Sequence, residues 1–227
     1  GLDGLTLFYS SSRPGGMGGR DIWYVYQIAE GRWSNPINAG PAINTPDNEE
    51  SPFIHFDGQT IYFMRDGKEG LGGYDLYISR KGIDGKWQKA ENLGAPINSG
   101  VDEGALTLHP DGKRAIITRM TGTAKNDLFE FVLPEKFRAT PTQALQVTIK
   151  DQVTGQPVRA RVELFEISKQ DTIRMSQWAD LDGKISAVTS KNVRYGVMVS
   201  ADGYIMYSAN LEADTSAVRQ LDIMLIP

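Results

Sequence analysis

Acidic residues at Glu49, Glu50 and Glu103 are the first side chains whose types could support catalysis. Hydrolysis of a glycoside requires two carboxyl groups that face each other across a cleft. Glu103 follows Glu49 by 54 residues, however, and other residues of the chain recur at the same interval. We therefore interpret Glu49 and Glu103 as equivalent positions of a repeat, where a loop enters a strand.

The two histidines, His55 and His109, are also separated by 54 residues, and each immediately precedes a predicted hairpin turn. A pair of metal ligands is one interpretation of this spacing. A zinc site needs further ligands, and no third ligand type lies near them in the sequence. We favour a structural role, in which each histidine caps its turn or binds the backbone.

Two glycine-rich stretches, Gly15–Gly19 (GGMGG) and Gly70–Gly73 (GLGG), could be taken for phosphate-binding loops. Such loops lead into a helix, and a Walker loop also carries a Lys-Ser/Thr pair. These two stretches lead instead into predicted strands at Asp21 and Asp75. We predict that the glycines serve backbone conformations with positive φ.

Aspartates recur at predicted strand starts, at Asp21, Asp75 and Asp127. A carboxylate in this position can accept hydrogen bonds from the N–H groups of the preceding turn. Calcium binding is the alternative that their repetition leaves open. Asp180–Gly183 (DLDG) is similar to the start of a calcium loop but lacks the further ligand spacing and the terminal glutamate.

The remaining motifs give no catalytic constellation. The chain has no cysteine and no G-x-S-x-G nucleophile elbow. Trp33 and Trp87 are predicted to pack between repeat units rather than to bind sugar. We therefore predict no catalytic, no cofactor-binding and no metal-binding residue, no cofactor, and no enzymatic activity.

These residues belong to a repeat of 54 residues, whose copies start near Asp3, Asp57 and Asp111. A period of this length indicates stacked supersecondary units. Asp57-Gly58 predicts a tight two-residue hairpin turn with positive φ. Four antiparallel strands followed by a crossing loop make one blade of a β-propeller. The predicted strands of the second copy are Ser51–Phe56, Thr60–Met64, Asp75–Arg80 and Lys86–Lys89.

The first and third copies are incomplete, so the sequence predicts about two and a half blades of a larger ring. Propellers close with roughly four to eight blades, and we expect an open arc here. Because the chain starts at Gly1 just before a hairpin strand, we expect a piece of a longer protein, whose N-terminal part would supply the missing outer strand of the last blade. The predicted strands of these copies are Leu5–Ser10, Asp21–Gln27, Arg32–Ser34, Gly104–His109, Arg114–Arg119 and Asp127–Leu133.

A second β pattern follows the repeats. Leu145, Val147 and Ile149 alternate with polar residues, as in a half-buried strand. Short strands with frequent turns predict a β-sandwich. The predicted organisation is all-β, with a partial propeller over residues 1–138, a linker over 139–144 and a small sandwich over 145–227.

Composition restricts the partners. The net charge of −4 provides no basic field for nucleic acid, and no apolar run approaches the roughly 18 residues of a membrane span. With 40% hydrophobic and 23% charged residues, the chain is typical of a folded globular protein.

The repeat resembles WD40-like repeats of the Pro-Asp type, found in TolB-like periplasmic propellers. The resemblance covers roughly residues 1–133 and rests on 55–59 (HFDGQ), 109–113 (HPDGK) and the segments GGMGGRDIW and GLGGYDLY. In the third copy, residues 121–126 (TGTAKN) replace the glycine-rich segment, so the loop is not expected there.

Residues 145–212 resemble a carboxypeptidase regulatory-like domain, a transthyretin-type sandwich, through VTIKDQVTGQPVRARVELFE, ADLDGKISAV and YGVMVSADGY. The two domains together resemble large OmpA-family lipoproteins of Bacteroidetes, including the PorE-type subunit of type IX secretion. The resemblance implies a non-enzymatic periplasmic scaffold, associated with the outer membrane and with envelope protein partners. Peptidoglycan would be bound only by an OmpA-like domain that this chain lacks.

Two other functions stay open. A glycan- or calcium-binding envelope module would need aromatic residues and carboxylates clustered on one exposed face. A hydrolase is the less favoured alternative, because the chain has neither a nucleophile motif nor a cluster of metal ligands.

Overall fold

The computed structural model describes residues 5–29, 31–109, 112–122, 125–167 and 172–227. The protein is all-β, with 53% strand and 2% helix, and its strands form several antiparallel sheets that do not close into a ring. No helix in the described part of the chain has the length and apolarity to cross a membrane. The chain forms two compact units, which divide between Thr140 and Pro141. Asp3 and Asp111, two of the three predicted repeat starts, lie outside the described residues.

The first unit contains three sheets, one for each copy of the repeat, with strand orders β1-β2-β3 (β4 also pairs with β2), β5-β6-β7-β8 and β11-β10-β9. A 3-10 turn at Glu135–Phe137 follows them. The strands are β1 (Thr6–Ser11), β2 (Asp21–Ala29), β3 (Arg32–Trp33), β4 (Ile37–Asn38), β5 (Asn48–Ile54), β6 (Thr60–Asp66), β7 (Tyr74–Arg80), β8 (Glu91–Asn92), β9 (Glu103–Leu108), β10 (Arg114–Met120) and β11 (Asn126–Val132).

The fourth strand of the second sheet differs from the prediction. Lys86–Lys89 does not form it, because Trp87 makes only an isolated bridge with Lys81. The N–H of Gln88 donates to the carbonyl of Arg80 at 2.8 Å, and the carbonyl of Gln88 accepts from the hydroxyl of Ser79 at 2.6 Å, so this segment keeps isolated bonds to β7 rather than a regular ladder. Regular pairing with β7 occurs further along, at β8.

The turn at Asp57-Gly58 also differs from the predicted two-residue hairpin. Gly58 has a φ of 66°, but Asp57 is not among the described residues with positive φ. The N–H of Gly58 donates to the carbonyl of His55, and the N–H of His55 donates to the carbonyl of Thr60. The turn is therefore longer than two residues, and only the glycine adopts the left-handed conformation.

Two apolar clusters fill the first unit, and each joins neighbouring copies of the repeat. One contains Ile22 of the first sheet with Ile61 and Phe63 of the second. The other contains Leu76 of the second sheet with Ile117 of the third. Successive sheets thus share their cores, as the apolar runs of their central strands require.

The second unit has two sheets, ordered β15-β12-β18 and β14-β13-β16-β17. The β12–β18 pair is parallel. Alternating residues such as Leu145 and Val147 on one sheet and Val162 and Val197 on the other enter a common core. The strands are β12 (Thr142–Asp151), β13 (Arg161–Glu166), β14 (Thr172–Trp178), β15 (Lys184–Ser190), β16 (Tyr195–Ser200), β17 (Tyr207–Leu211) and β18 (Val218–Leu225).

Candidate functional site

Acidic side chains singled out by their spacing lie, together with nearby asparagines, in repeated hydrogen-bonded clusters within the first unit. Asp21 is buried at the start of β2, and its carboxylate accepts hydrogen bonds from the N–H groups of Met17 at 2.6 Å and Gly18 at 3.0 Å. Asp75 is buried at the start of β7 and accepts from the N–H groups of Leu71 and Gly72 in the same way. Both aspartates therefore bind the preceding loop, as predicted, and neither faces solvent as the calcium alternative requires.

Asp127 does not share this environment. It is exposed, and its carboxylate accepts a hydrogen bond from the hydroxyl of Thr121 at 2.7 Å. The third copy has a different loop sequence before this aspartate, and residues 123 and 124, which correspond to the loop donors of the first two copies, lie outside the described residues.

The glycine-rich loops are shaped by close approach rather than by positive φ. A Cβ atom on Gly18 would lie 2.1 Å from the carbonyl oxygen of Asp47, and one on Gly72 would lie 2.3 Å from that of Val101. Among the described glycines of the two loops, Gly15 alone has a positive φ. The prediction that all of them serve positive φ is therefore wrong. Gly18 and Gly72 are needed because each loop packs directly on the backbone of the loop that leads into the next sheet, and the glycines that follow them lie against the side chains of Asn48 and Asp102.

Asparagines at the same period bind the strand just beyond each aspartate. The carboxamide of Asn44 accepts from the N–H of Ile22 at 2.8 Å and donates to its carbonyl at 2.9 Å. Asn98 makes the same two bonds with Leu76, at 2.9 Å and 3.0 Å. Each carboxamide acts like one residue of an additional strand, so the edge of the sheet is satisfied without a longer ladder.

A second asparagine in each copy links this carboxamide to the aspartate. Asn38 donates to Asp21 at 2.6 Å and accepts from Asn44 at 2.8 Å. Asn92 donates to Asp75 at 2.9 Å, and its side-chain oxygen accepts from Asn98 at 2.8 Å. The resulting chain of polar groups holds the loop, the strand and the crossing segment together.

Glu49 and Glu103 are fully buried, and each is held by a hydroxyl residue and an arginine. Thr45 donates to Glu49 from its N–H and its hydroxyl. Arg65 donates from Nε to Oε1 of Glu49 at 2.9 Å. Burial raises the pKa of Glu49 above its ordinary value of 4.5, while the bonds from Thr45 and the charge of Arg65 act against that rise. The two glutamates do not face each other across a cleft.

The arginine partners were missed in the sequence. Arg65 donates from Nη2 to the carbonyl of Ile43, and its guanidinium lies 4.4 Å from the ring centroid of Tyr77. Arg119 pairs with Glu103 at 2.9 Å and lies 5.2 Å from the centroid of Phe129. Both arginines obey the 54-residue interval, which is the signal that would have found them.

His55 and Asp57 form a buried turn, consistent with the structural role predicted for the histidine. Nδ1 of His55 lies 3.1 Å from the N–H nitrogen of Asp57 and 3.4 Å from its Oδ2. Asp57 also accepts from the N–H groups of Gln59 and Thr60 and from that of Thr140. Burial raises the pKa of Asp57, but the hydrogen bonds from His55, Gln59 and Thr60 outweigh this effect and lower it below its ordinary value of 3.8.

His109 has an arginine beside it. Nη2 of Arg114 is 3.1 Å from Nδ1 and 3.3 Å from Nε2 of His109. The described part of the chain contains no group of three or more histidines, aspartates or glutamates placed to hold a metal ion.

The two tryptophans have different surroundings. Trp87 packs edge-on against Phe8 of the first copy, with ring centroids 6.2 Å apart, which agrees with the predicted packing between copies. Trp33 is 43% exposed, which differs from that prediction.

The Asp180–Gly183 stretch forms a turn in which Asp180 accepts from the N–H groups of Asp182 and Lys184, so that its carboxylate caps the turn.

In the second unit, the outer face of the β13-β16-β17 sheet bears an open groove of about 590 Å³. Gly196 contributes no side chain, and the groove lies over it. The lining residues include Phe165, Ile167, Met198, Ser208 and Asn210. Among the described lining residues no side chain is charged, and the hydroxyl of Ser208 is the strongest nucleophile.

Comparisons with known proteins leave the family undetermined. No family model and no curated protein matches the chain. Among solved structures, it is similar to a C-terminal fragment of the pilus adhesin SpaC from Lactobacillus rhamnosus GG, at 10% identity and a TM-score of 0.34, over 99% of this chain and 90% of that one. It is also similar to the pilus 2b backbone protein of group B streptococcus, at 11% identity and a TM-score of 0.33, over 97% of both chains. S.CueP matches 53% of this chain and 77% of its own, at 12% identity and a TM-score of 0.29. Scores this low carry no argument about fold family or function.

Proposed function

We propose that this chain is a non-enzymatic scaffold of the bacterial periplasm, associated with the outer membrane, whose β-sheets bind envelope proteins. The observation that supports the proposal is that the acidic side chains are buried and bound within the framework. Main-chain N–H groups bind the two aspartates, Asp21 and Asp75. Arginines bind the two glutamates, Glu49 and Glu103. Groups that are fully engaged in holding loops serve a rigid framework rather than substrate chemistry.

The architecture we propose for the first unit is part of a β-propeller. Three sheets follow one another at the repeat interval, and each shares an apolar core with the next. For the second unit we propose a transthyretin-like sandwich, which the common core of its two sheets supports. The resemblance of the sequence to OmpA-family envelope proteins, including the PorE-type subunit, then suggests components of type IX secretion or a related assembly as partners.

The test is affinity capture from the mildly solubilised envelope of a Bacteroidetes species, with the tagged 227-residue chain as bait. We expect outer-membrane or secretion-complex proteins to be enriched over a tagged β-protein of similar size and charge. Recovery of no envelope protein above that control would contradict the proposal. A turnover screen on glycosides, peptides and esters, with and without divalent metal, is expected to show no activity above buffer, and reproducible turnover would contradict the non-enzymatic function.

A further inference from the structure

The sheet β14-β13-β16-β17 of the second unit turns one face to the core and the other face to solvent. Along β13, Arg161, Glu163 and Phe165 alternate with the buried Val162 and Leu164. Successive side chains of a strand point to opposite faces, so the first three lie on the outer face. We call this surface the β13 face. The residues paired with these positions on the neighbouring strands complete it, and they are Trp178, Ser176, Met198, Gly196, Ser208 and Asn210.

Two aromatic side chains stand on the β13 face, separated by a length that fits a ligand of several rings. Trp178 is 54% exposed and is paired with Arg161. Phe165 lies four residues further along β13, which at a rise of about 3.3 Å per residue is roughly 13 Å along the strand. The guanidinium carbon of Arg159 lies 5.7 Å from the ring centroid of Trp178 and supports the indole from one side. The face therefore offers two aromatic platforms with polar residues between them.

Gly196 opens the β13 face between Phe165 and Asn210, its partners on the two neighbouring strands. A Cβ atom on Gly196 would lie 4.0 Å from Cβ and Cδ2 of Phe165, which is an ordinary contact, so packing does not require a glycine here. Its φ is not positive either. A glycine inside a strand weakens the sheet, and such a position often marks the close approach of a ligand. The missing side chain forms the floor of the groove of about 590 Å³.

The polar groups of the β13 face are held in place, and their charges cancel. Nη2 of Arg161 lies 3.2 Å from Oε1 of Glu163, and the two side chains are 50% and 24% exposed. The hydroxyl of Ser176 accepts from Nε of Arg161 and donates to Glu163. At the groove, Ser208 and Asn210 add a hydroxyl and a carboxamide, and no described lining residue is charged. These groups offer positioned donors and acceptors to a ligand that is itself uncharged.

Aromatic platforms alternating with neutral polar groups match a sugar chain better than a peptide. A sugar ring has C–H groups on its face and hydroxyls on its rim, so it can stack on an aromatic ring and form hydrogen bonds at the same time. An extended peptide gains its affinity from main-chain bonds at a strand edge. The β13 face offers no such bonds at its centre, because the main chains of β13 and β16 pair with each other and with β14 and β17.

We propose that the β13 face binds an extended, neutral oligosaccharide. One sugar ring stacks on Trp178, another occupies the groove over Gly196 beside Phe165, and hydroxyls between them bond to Arg161 and Glu163. The sequence required aromatic residues and a carboxylate on one exposed face for glycan binding, and the β13 face has both. This activity goes beyond the protein-binding scaffold proposed above, and it involves binding without catalysis.

The experiment is calorimetric titration of the whole 227-residue chain with cellohexaose and, separately, with chitohexaose, which are both extended and neutral. We expect saturable binding of at least one of them. Trp178→Ala removes a stacking platform and should raise the dissociation constant at least about ten-fold. Trp33→Ala, which removes an exposed tryptophan of the first unit, is the matched control and should bind like the native chain.

Gly196→Val is the second test, because it fills the floor of the groove without a close contact. A β-branched residue favours a strand, so the melting temperature should not fall, while the affinity for the sugar should drop at least about ten-fold. The proposal is overturned if neither sugar binds saturably up to about 10 mM, or if Trp178→Ala or Gly196→Val binds like the native chain. It is also overturned if Trp178→Ala abolishes capture of an envelope protein while no sugar binds, because the face would then belong to a protein partner.

Discussion

Arg65 and Glu49 form a buried ion pair that joins two neighbouring strands of the second sheet. Nε of Arg65 lies 2.9 Å from Oε1 of Glu49, and the exposed fractions of the two side chains are 9% and 0%. The same guanidinium also donates to the carbonyl of Ile43, in the segment that leads into β5. One side chain thus connects a strand, its neighbour and the crossing segment.

Replacing Arg65 should therefore destabilise the first unit strongly. Arg65→Met leaves the carboxylate of Glu49 buried without a cation, and we expect a loss of about 3–5 kcal/mol in the free energy of unfolding. Urea denaturation followed by tryptophan fluorescence measures it. Adding Glu49→Gln to Arg65→Met should restore part of the loss. A loss below about 1 kcal/mol for the single variant would contradict a stabilising role for the ion pair between Arg65 and Glu49.

The close packing of the glycine-rich loop gives a second prediction with an internal control. Gly72→Ala places a Cβ 2.3 Å from the carbonyl oxygen of Val101 and should cost about 1–3 kcal/mol. Gly100→Ala meets no atom within 4 Å and should change stability by no more than about 0.5 kcal/mol. Thermal unfolding of the two variants beside the native chain compares them. Equal melting temperatures would contradict the close approach.

The bracket made by Asn98 gives a third prediction. Asn98→Ala leaves the N–H of Leu76 buried without its partner, while the carbonyl of Leu76 keeps the bond from the N–H of Leu93, and we expect a loss of about 1–3 kcal/mol. Asn35 has an exposed side chain, so Asn35→Ala serves as the control and should fall within about 0.5 kcal/mol of the native chain. Chemical denaturation measures both. Equal losses of unfolding free energy in the two variants would contradict a stabilising role for the Asn98 carboxamide.

Asp57 gives a pH-dependent prediction. Its pKa in the folded chain is lowered below the ordinary value of 3.8, so the unfolded chain binds the proton more readily. The stability that Asp57 contributes is therefore present above about pH 4 and is lost as the pH falls below that value. Asp57→Asn removes this contribution. The stability difference between the native chain and Asp57→Asn should be largest near pH 6 and should shrink towards pH 2, as urea midpoints across that range would show. A difference that is constant with pH would contradict the lowered pKa.

The protonation of Glu49 changes stability with pH in the opposite direction. Burial raises its pKa, so the folded chain holds the proton more readily than the unfolded chain does. Its contribution is largest below its ordinary value of 4.5 and is lost as the pH rises through the higher folded pKa. Comparing Asp57→Asn with the native chain isolates Asp57, because Glu49 is common to both.

Much of the first unit was predictable from periodicity. The run Thr60–Met64 predicts a strand, and β6 covers Thr60–Asp66. Asp21 and Asp75 bind the loops that precede them, as their place at strand starts indicates. These features depend on residues near one another in the chain, and local pattern carries that information.

The errors concern contacts between distant segments. Residues 86–89 have the composition of a strand, but β7 pairs instead with Glu91–Asn92, where Asn92 reaches Asp75. The sequence favours positive φ for the glycines of the loops. Gly72 is required for another reason, because a Cβ atom there would collide with the carbonyl of Val101. That carbonyl comes from the loop leading into the next sheet, and its position depends on how the sheets stack.

The strands, their order within each copy and the 54-residue interval follow from the alternation of side chains and from turn residues, which act over a few positions. The tertiary structure decided which buried charges are paired and which main-chain groups the asparagines bind. Arg65 meets Glu49, and Asn98 brackets Leu76, because of the way strands and crossing segments pack together. Burial and hydrogen-bond geometry are properties of that packing, and short-range pattern does not contain them.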